Sequence, residues 1–164
     1  MVYLSLGTNI GDKDQNLLTA ISKIEHQIGK VVSQSAFICT EPWGFESKHS
    51  FLNACIGVCS SLSPIELLDC CQRIEKDMGR IRKSERRVDN DGKINATYHD
   101  RIIDIDILLI DDMVIQSPRL TIPHPLMHRR RFVLEPLAEI AHDAKIPGTS
   151  MSVGEMLSAL PADS

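Results

Sequence analysis

The sequence predicts one domain of mixed strands and helices spanning residues 1–164, and three observations carry that expectation. Short β-forming runs at Val2–Leu6, Phe51–Cys59 and Arg101–Ile110 alternate with capped stretches of helical period. The chain's 164 residues, 43% of them hydrophobic and 24% charged, suffice for one sizeable core and are too few for two comfortable domains. No internal repeat, heptad or low-complexity tract suggests another architecture.

In chain order, Val2–Leu6 ends at Gly7, and TNIGD supplies turn residues before an amphipathic stretch from Asp14 to Ile28. Its apolar residues Leu17, Leu18, Ile21, Ile24 and Ile28 recur at helical spacing, and Gly29 is suited to end the helix. Val31, Val32, Phe37 and Ile38 favour β structure across Lys30–Thr40, while Glu41–Ser50 reads as a loop. Phe51–Cys59 returns to strand and carries a polar Asn53, which must find a hydrogen-bond partner in or beyond the sheet. Ser63, Pro64 and Glu66 form a strong helix start, and the helix is expected to reach Met78 and stop at Gly79. The charged stretch Arg80–Asp100 is too polar to bury a core and is long for a connection in a compact domain, so it is either a solvated loop or a functional one. After Arg101–Ile110, Asp111-Asp112 turn the chain into Met113–Ile115 as a hairpin. Arg119–Ile122 is a short strand closed by Pro123-His124-Pro125. FVLEPLAEIA is a helix interrupted or started near Pro136, and Ser152–Leu160 is a last capped helix.

The stretch Arg101–Ile110, RIIDIDILLI, draws the chemistry together. On a strand, Asp104 and Asp106 share a face with Leu108 and Ile110, while Ile103, Ile105, Ile107 and Leu109 take the other. Apolar on both faces in its C-terminal half, the strand is expected to be a central one. At about 3.3 Å rise per residue, the two aspartate Cα atoms stand roughly 6.5 Å apart, within reach of a shared magnesium ion. A salt bridge to Arg101 would equally answer for a lone D-x-D pair. Around the pair the chain supplies Arg80, Arg82, Lys83, Arg86, Arg87, Arg101, His124, Arg129, Arg130 and Arg131. Guanidinium groups bridge phosphate oxygens and carboxylate-held magnesium neutralises them, which together describe phosphoryl transfer. His124 between two prolines looks fixed, for binding or for structure.

Composition excludes other classes. The net charge of −4 disfavours nucleic acid as the main partner. Five cysteines without C-x-x-C spacing read as buried free thiols of a reducing compartment, and no signal peptide or membrane span is present, which points to the cytoplasm. The chain lacks a G-x-x-x-x-G-K-[ST] phosphate loop and a G-x-G-x-x-G fingerprint, so neither a P-loop enzyme nor a Rossmann dehydrogenase is supported.

Taken in order, RIIDIDILLI, RLTIPHP, HRRRF and VLEPLAEIA, with LSLGTNIGD, TEPWG, FLNA and QRIEKDMGRIR before them, make the chain similar along nearly its whole length to the 6-hydroxymethyl-7,8-dihydropterin pyrophosphokinase family. That resemblance implies a ferredoxin-like α+β fold, a mainly antiparallel sheet with helices on both faces in three αβα layers. It implies magnesium-dependent transfer of pyrophosphate from ATP to the pterin alcohol, in folate biosynthesis, with Asp104 and Asp106 binding two magnesium ions. Carried over residue by residue, Gln72, Arg82, Arg101, Ile107, Arg119, Thr121, His124 and Arg130 would hold ATP, with Arg82 and Arg101 acting beside the aspartates in catalysis. The pterin would lie between Phe51 and Phe132, its polar edge read by Asn53, Thr40 and backbone groups around Gly7, Glu41 and Trp43. Arg130 is chosen among three neighbouring arginines by its alignment to Phe132, and the charged loop is expected to close over the site once both substrates bind. Partners are then the two small substrates, with no nucleic acid or membrane, and the protein is a monomer or weak homodimer. Two rival readings predict different observations: another D-x-D phosphoryl or nucleotidyl transferase would release a product other than AMP, and a non-enzymatic ferredoxin-like sensor would bind without turnover.

Overall fold

In a computed structural model the described residues are 1–40, 50–83 and 102–161, with only the backbone described at 80–83. The expected lid lies mostly outside them.

Strand β1 (Val2–Thr8) leads into helix α1 (Lys13–Gln27), whose first turn is capped by the Asp12 carboxylate accepting from the Gln15 N–H at 3.1 Å. Leu17, Ala20, Ile21 and Ile24 form the buried face of α1, whereas Leu18, expected in that face, is 49% exposed because it lies about 100° round the helix from Leu17. Gly29 follows, but its φ is not left-handed. A Cβ there would stand 2.1 Å from the Cys59 carbonyl oxygen, so close backbone approach explains the glycine. The chain continues as β2 (Lys30–Gln34), β3 (Ile38–Thr40) and β4 (Phe51–Cys59). Helix α2 (Pro64–Lys83) opens with the expected reciprocal cap: the Ser63 N–H donates to Glu66 Oε1 at 3.0 Å and the Glu66 N–H to Ser63 Oγ at 3.3 Å. It passes through Gly79 rather than stopping there, since glycine in a helix interior costs only about 1 kcal/mol.

Strand β5 (Asp104–Ile110) completes a five-stranded antiparallel sheet of order β2-β4-β1-β5, with β3 pairing β4 beyond β2. Two expectations for β5 fail. Among the described residues it is an edge strand, its outer rim served by other groups: Glu75 Oε2 accepts the Ile105 N–H at 3.0 Å, and the Leu108 carbonyl accepts from the His124 N–H at 3.0 Å. Its alternation also breaks, because the register against β1 shifts between Tyr3 and Leu4 and leaves Leu108 as the extra residue. Leu108 and Leu109 therefore face the same side, and Ile110 crosses to the side of Ile103, Ile105 and Ile107.

The turn at Asp111, where φ is +46°, does not make the expected hairpin with β5. Strand β6 (Ile115–Gln116) instead pairs with β7 (Thr121–Ile122) as a separate small sheet. A single 3-10 turn at Met127–Arg129 precedes helix α3 (Arg131–Ala141), which runs through Pro136 without interruption, proline removing one backbone donor. Helix α4 (Val153–Ser158) ends the described chain behind a Ser152–Glu155 capping box.

Two apolar clusters cover the main sheet. One joins Val2, Leu4, Leu6, Ile56 and Val58 to α1 and α2 through Leu17, Ile24, Leu67 and Ile74. The other joins Cys55, Leu108 and Leu109 to α3 and α4 through Val133, Leu134, Leu137 and Val153. All five cysteines are free, but only Cys55 and Cys71 are buried; Cys70 is half-buried and Cys39 and Cys59 are exposed, the last at the open end of β4. Among the described residues, no helix is long and apolar enough to cross a membrane.

Candidate active site

Cross-strand pairing fixes which side chains meet. Gly7 of β1 stands opposite Asn53 of β4 on one side and Asp104 of β5 on the other, so Asn53, Gly7 and Asp104 form one row across the sheet on one face. Two residues further along the strands, Cys55, Ser5 and Asp106 form the next row on that face. Phe51 and its partner Thr40 lie on the opposite flank of Asn53. The Asn53 amide donates from Nδ2 to Thr40 Oγ1 at 2.8 Å, which answers the sequence question of how a 4%-exposed asparagine is satisfied. A Cβ on Gly7 would lie 3.0 Å from Asn53 Oδ1, so the bare glycine leaves the amide its place.

Helix α3 begins over the same face. Its Phe132 is half-buried, and the Arg130 guanidinium lies 5.7 Å from the Phe132 ring centroid. The arginine neighbours separate cleanly. Arg131 is turned toward Glu135 at 3.4 Å and the carbonyl oxygens of Leu160 and Pro161 at 3.4 and 3.1 Å, and Arg129 is exposed. Only Arg130 of the three is placed toward His124, whose proton affinity it helps to lower.

Beyond the rim of β5 a cleft of about 230 Å³ is walled by Leu68, Asp106, Ile107, Arg119, Thr121 and His124. The β6–β7 turn brings Arg119 there, and α2 holds it through an Asp69–Arg119 ion pair of 2.6 Å. His124 Nδ1 accepts the Leu126 N–H at 3.2 Å, so in the neutral ring Nε2 carries the proton. Burial, then Arg130, lowers the His124 pKa against an opposing pull from Asp104, which favours that neutral donor form. Gln72, expected with this group, is exposed on α2 and is not part of the cleft wall.

Glu75 was not singled out from the sequence. Burial, more than a side-chain hydrogen bond with Asp104 and the repulsion of Asp104 and Asp106, raises its carboxyl well above the ordinary range, while the Ile105 N–H opposes the rise. The signal was present only as a glutamate on the inner side of α2, which looks in sequence like any other helical glutamate. Glu41, Trp43 and Arg101, and the side chain of Arg82, lie outside the described residues.

The donor set fits magnesium. Asp104 and Asp106 are half-buried hard-oxygen ligands on one face, and a protein commonly offers magnesium one or two carboxylates while phosphates supply the rest. Among the described residues, no group of three or more His, Cys, Asp or Glu could hold a metal by itself.

Residues 3–142 match the family model 7,8-dihydro-6-hydroxymethylpterin-pyrophosphokinase (HPPK). The chain belongs to this family. Its reaction is pyrophosphoryl transfer from ATP to hydroxymethyldihydropterin in folate biosynthesis. Among similar HPPK proteins, the 2-amino-4-hydroxy-6-hydroxymethyldihydropteridine pyrophosphokinase of Porphyromonas gingivalis is 45% identical over 142 residues, covering 86% of this chain and 90% of that one. That of Methylorubrum extorquens is 40% identical, covering 91% and 87%. A crystal structure of a Plasmodium falciparum HPPK-DHPS variant superposes with a TM-score of 0.72 at 16% identity, over 96% of this chain and 42% of that longer one, a likeness of fold. HPPK membership sets aside both rival readings of the D-x-D stretch.

Proposed function

We propose that the face carrying the Asn53–Gly7–Asp104 row binds the pterin and that the cleft beyond β5 binds ATP, so that the hydroxymethyl oxygen meets the β-phosphorus beside Asp104 and Asp106. The observation that carries this reading is the row itself, which sets an amide able to read a heterocycle edge two strands across from the carboxylate pair, with β1 between them.

In this reading the pterin stacks between Phe51 and Phe132, displacing Arg130 from the Phe132 ring, while Asn53 and Thr40 and backbone groups at Gly7, Glu41 and Trp43 meet its polar edge. Arg119, Thr121, His124 and Arg130 hold the phosphates from the cleft side, with Ile107 in its wall and Gln72, Arg82 and Arg101 joining from α2 and the segment after it. Asp104 and Asp106 would hold two magnesium ions, which supply charge neutralisation on the phosphate oxygens. The alcohol oxygen forms its bond to the β-phosphorus as the bond to the bridging oxygen of AMP breaks in line, and catalysis rests on positioning and electrostatics. No side chain is assigned as a general base.

The same reading places the domain, residues 1–164, in the ferredoxin-like class with three αβα layers. Its support is the β1-α1-β2-β4-α2-β5 order with a β2-β4-β1-β5 sheet and an apolar cluster on each face. It takes the protein as a cytoplasmic monomer or weak homodimer with no nucleic-acid partner. The test is to incubate the protein with MgATP and 6-hydroxymethyl-7,8-dihydropterin and assay AMP. Pterin-dependent AMP formation supports the assignment; ADP or phosphate in its place overturns it.

A further inference from the structure

A carboxylate from a helix occupies the position at the rim of β5 that a neighbouring strand's carbonyl would take. Glu75 Oε2 accepts the Ile105 N–H at 3.0 Å, and Ile105 is the residue between Asp104 and Asp106. Its two neighbours stand opposite Gly7 and Ser5 of β1, so β1 holds the inner rim of this segment and Glu75 the outer one. Among the described residues only one strand flanks β5 in the sheet, and the next described hydrogen bond on its outer rim is three residues on, from the His124 N–H to the Leu108 carbonyl, beside the bulge. An edge segment held on one side twists and frays more readily than a central one, and any twist about Ile105 changes the separation and aim of the carboxylates on either side. Ile105 is 5% exposed, so its N–H has little access to water as a substitute acceptor.

We propose that Glu75 is a positioning residue of the HPPK reaction, whose carboxyl oxygen, by accepting the Ile105 N–H, fixes the backbone between Asp104 and Asp106 and thereby their geometry toward magnesium-bound phosphates. The proposal rests on the assignment of those two aspartates to the metal. Glu75 supplies an acceptor oxygen at the right reach and also shares a side-chain hydrogen bond with Asp104, to which a glutamine amide can donate. Glutamine at 75 therefore retains the function, alanine loses it, and aspartate, one methylene shorter, falls short of the N–H.

The test compares Glu75→Gln, Glu75→Ala and Glu75→Asp with the unaltered protein in two measurements: amide hydrogen exchange at Ile105, and AMP formation as a function of magnesium at fixed ATP. Loss of this buried hydrogen bond is expected to speed Ile105 exchange about tenfold in the alanine and aspartate variants. The same variants should need about tenfold more magnesium for half-maximal rate and show a lower kcat, with the KM for pterin unchanged, since the defect lies at the carboxylates. Glu75→Gln should match the unaltered protein in both measurements. If the alanine variant does not fold, the aspartate variant decides. Faster exchange with unchanged magnesium dependence overturns the proposal, as does a glutamine variant that protects Ile105 yet is as impaired as alanine. An unaltered protein that forms no AMP overturns the functional assignment instead, and the exchange comparison still reports whether the hydrogen bond exists.

Discussion

Asp104 and Asp106 are costly residues at which function and stability pull apart. With Glu75 close by, three carboxyl groups crowd the rim of β5, where burial and then the two aspartates raise the Glu75 carboxyl above the ordinary range. Asp104→Ala or Asp106→Ala is therefore expected to abolish AMP formation while leaving stability in magnesium-free buffer equal or higher, measured by urea unfolding. Near-normal turnover by either variant at saturating magnesium would refute the metal assignment. Asn53→Ala should weaken pterin binding by about 1 to 3 kcal/mol and leave ATP binding nearly unchanged, because the lost amide reads one ligand only. Phe132→Ala should act in the same direction through lost stacking. Calorimetry with each ligand alone decides, and equal losses for both would point to a structural role. Asp104, Asp106 and Asn53 were conspicuous in the sequence because each is a polar group inside an apolar run, whereas Phe132 entered through the family resemblance. Glu75 was not, since a helical glutamate is ordinary until its carboxylate is seen on the Ile105 N–H.

Elements follow local rules where their signals are local. Ser63 and Ser152 cap the helices whose starts they mark, Asp12, placed by the sequence among turn residues, caps α1, and β4 has the bounds its apolar run suggests. Ser152→Ala should lower stability by about 1 kcal/mol, read as a fall in the urea midpoint, because Ser152 Oγ accepts the Glu155 N–H at 3.1 Å at the start of α4. An unchanged midpoint would show that α4 is held by packing of Val153 and Met156 alone. Where glycine marks an element's end the sequence signal is ambiguous. Gly29 serves a close approach to Cys59, and Gly79 ends nothing, since the same residue type meets several backbone demands.

At the scale of the whole molecule, the proposed site lies where two regions meet at the end of the sheet, the proposed pterin face under α3 and the cleft beside β6–β7. Each substrate should stabilise the native state in proportion to its own occupancy, about 2.7 kcal/mol at a hundredfold excess over Kd. Asp104→Ala should lose the rise in Tm caused by magnesium with an unreactive ATP analogue and keep most of the rise caused by pterin, in a thermal unfolding series. Loss of both shifts would mean that the variant disturbs the sheet row as a whole. The sequence alone determined the starts of α2 and α4, the main strand runs, the D-x-D pair and the family resemblance, because each is written in side chains within a few residues of one another. Tertiary structure alone decided that β5 is an edge strand, that the bulge at Leu108 sends Ile110 to the opposite face, that β6 pairs with β7, and that Glu75 meets Ile105. Those outcomes depend on strand register and on contacts between distant segments, which local periodicity does not encode.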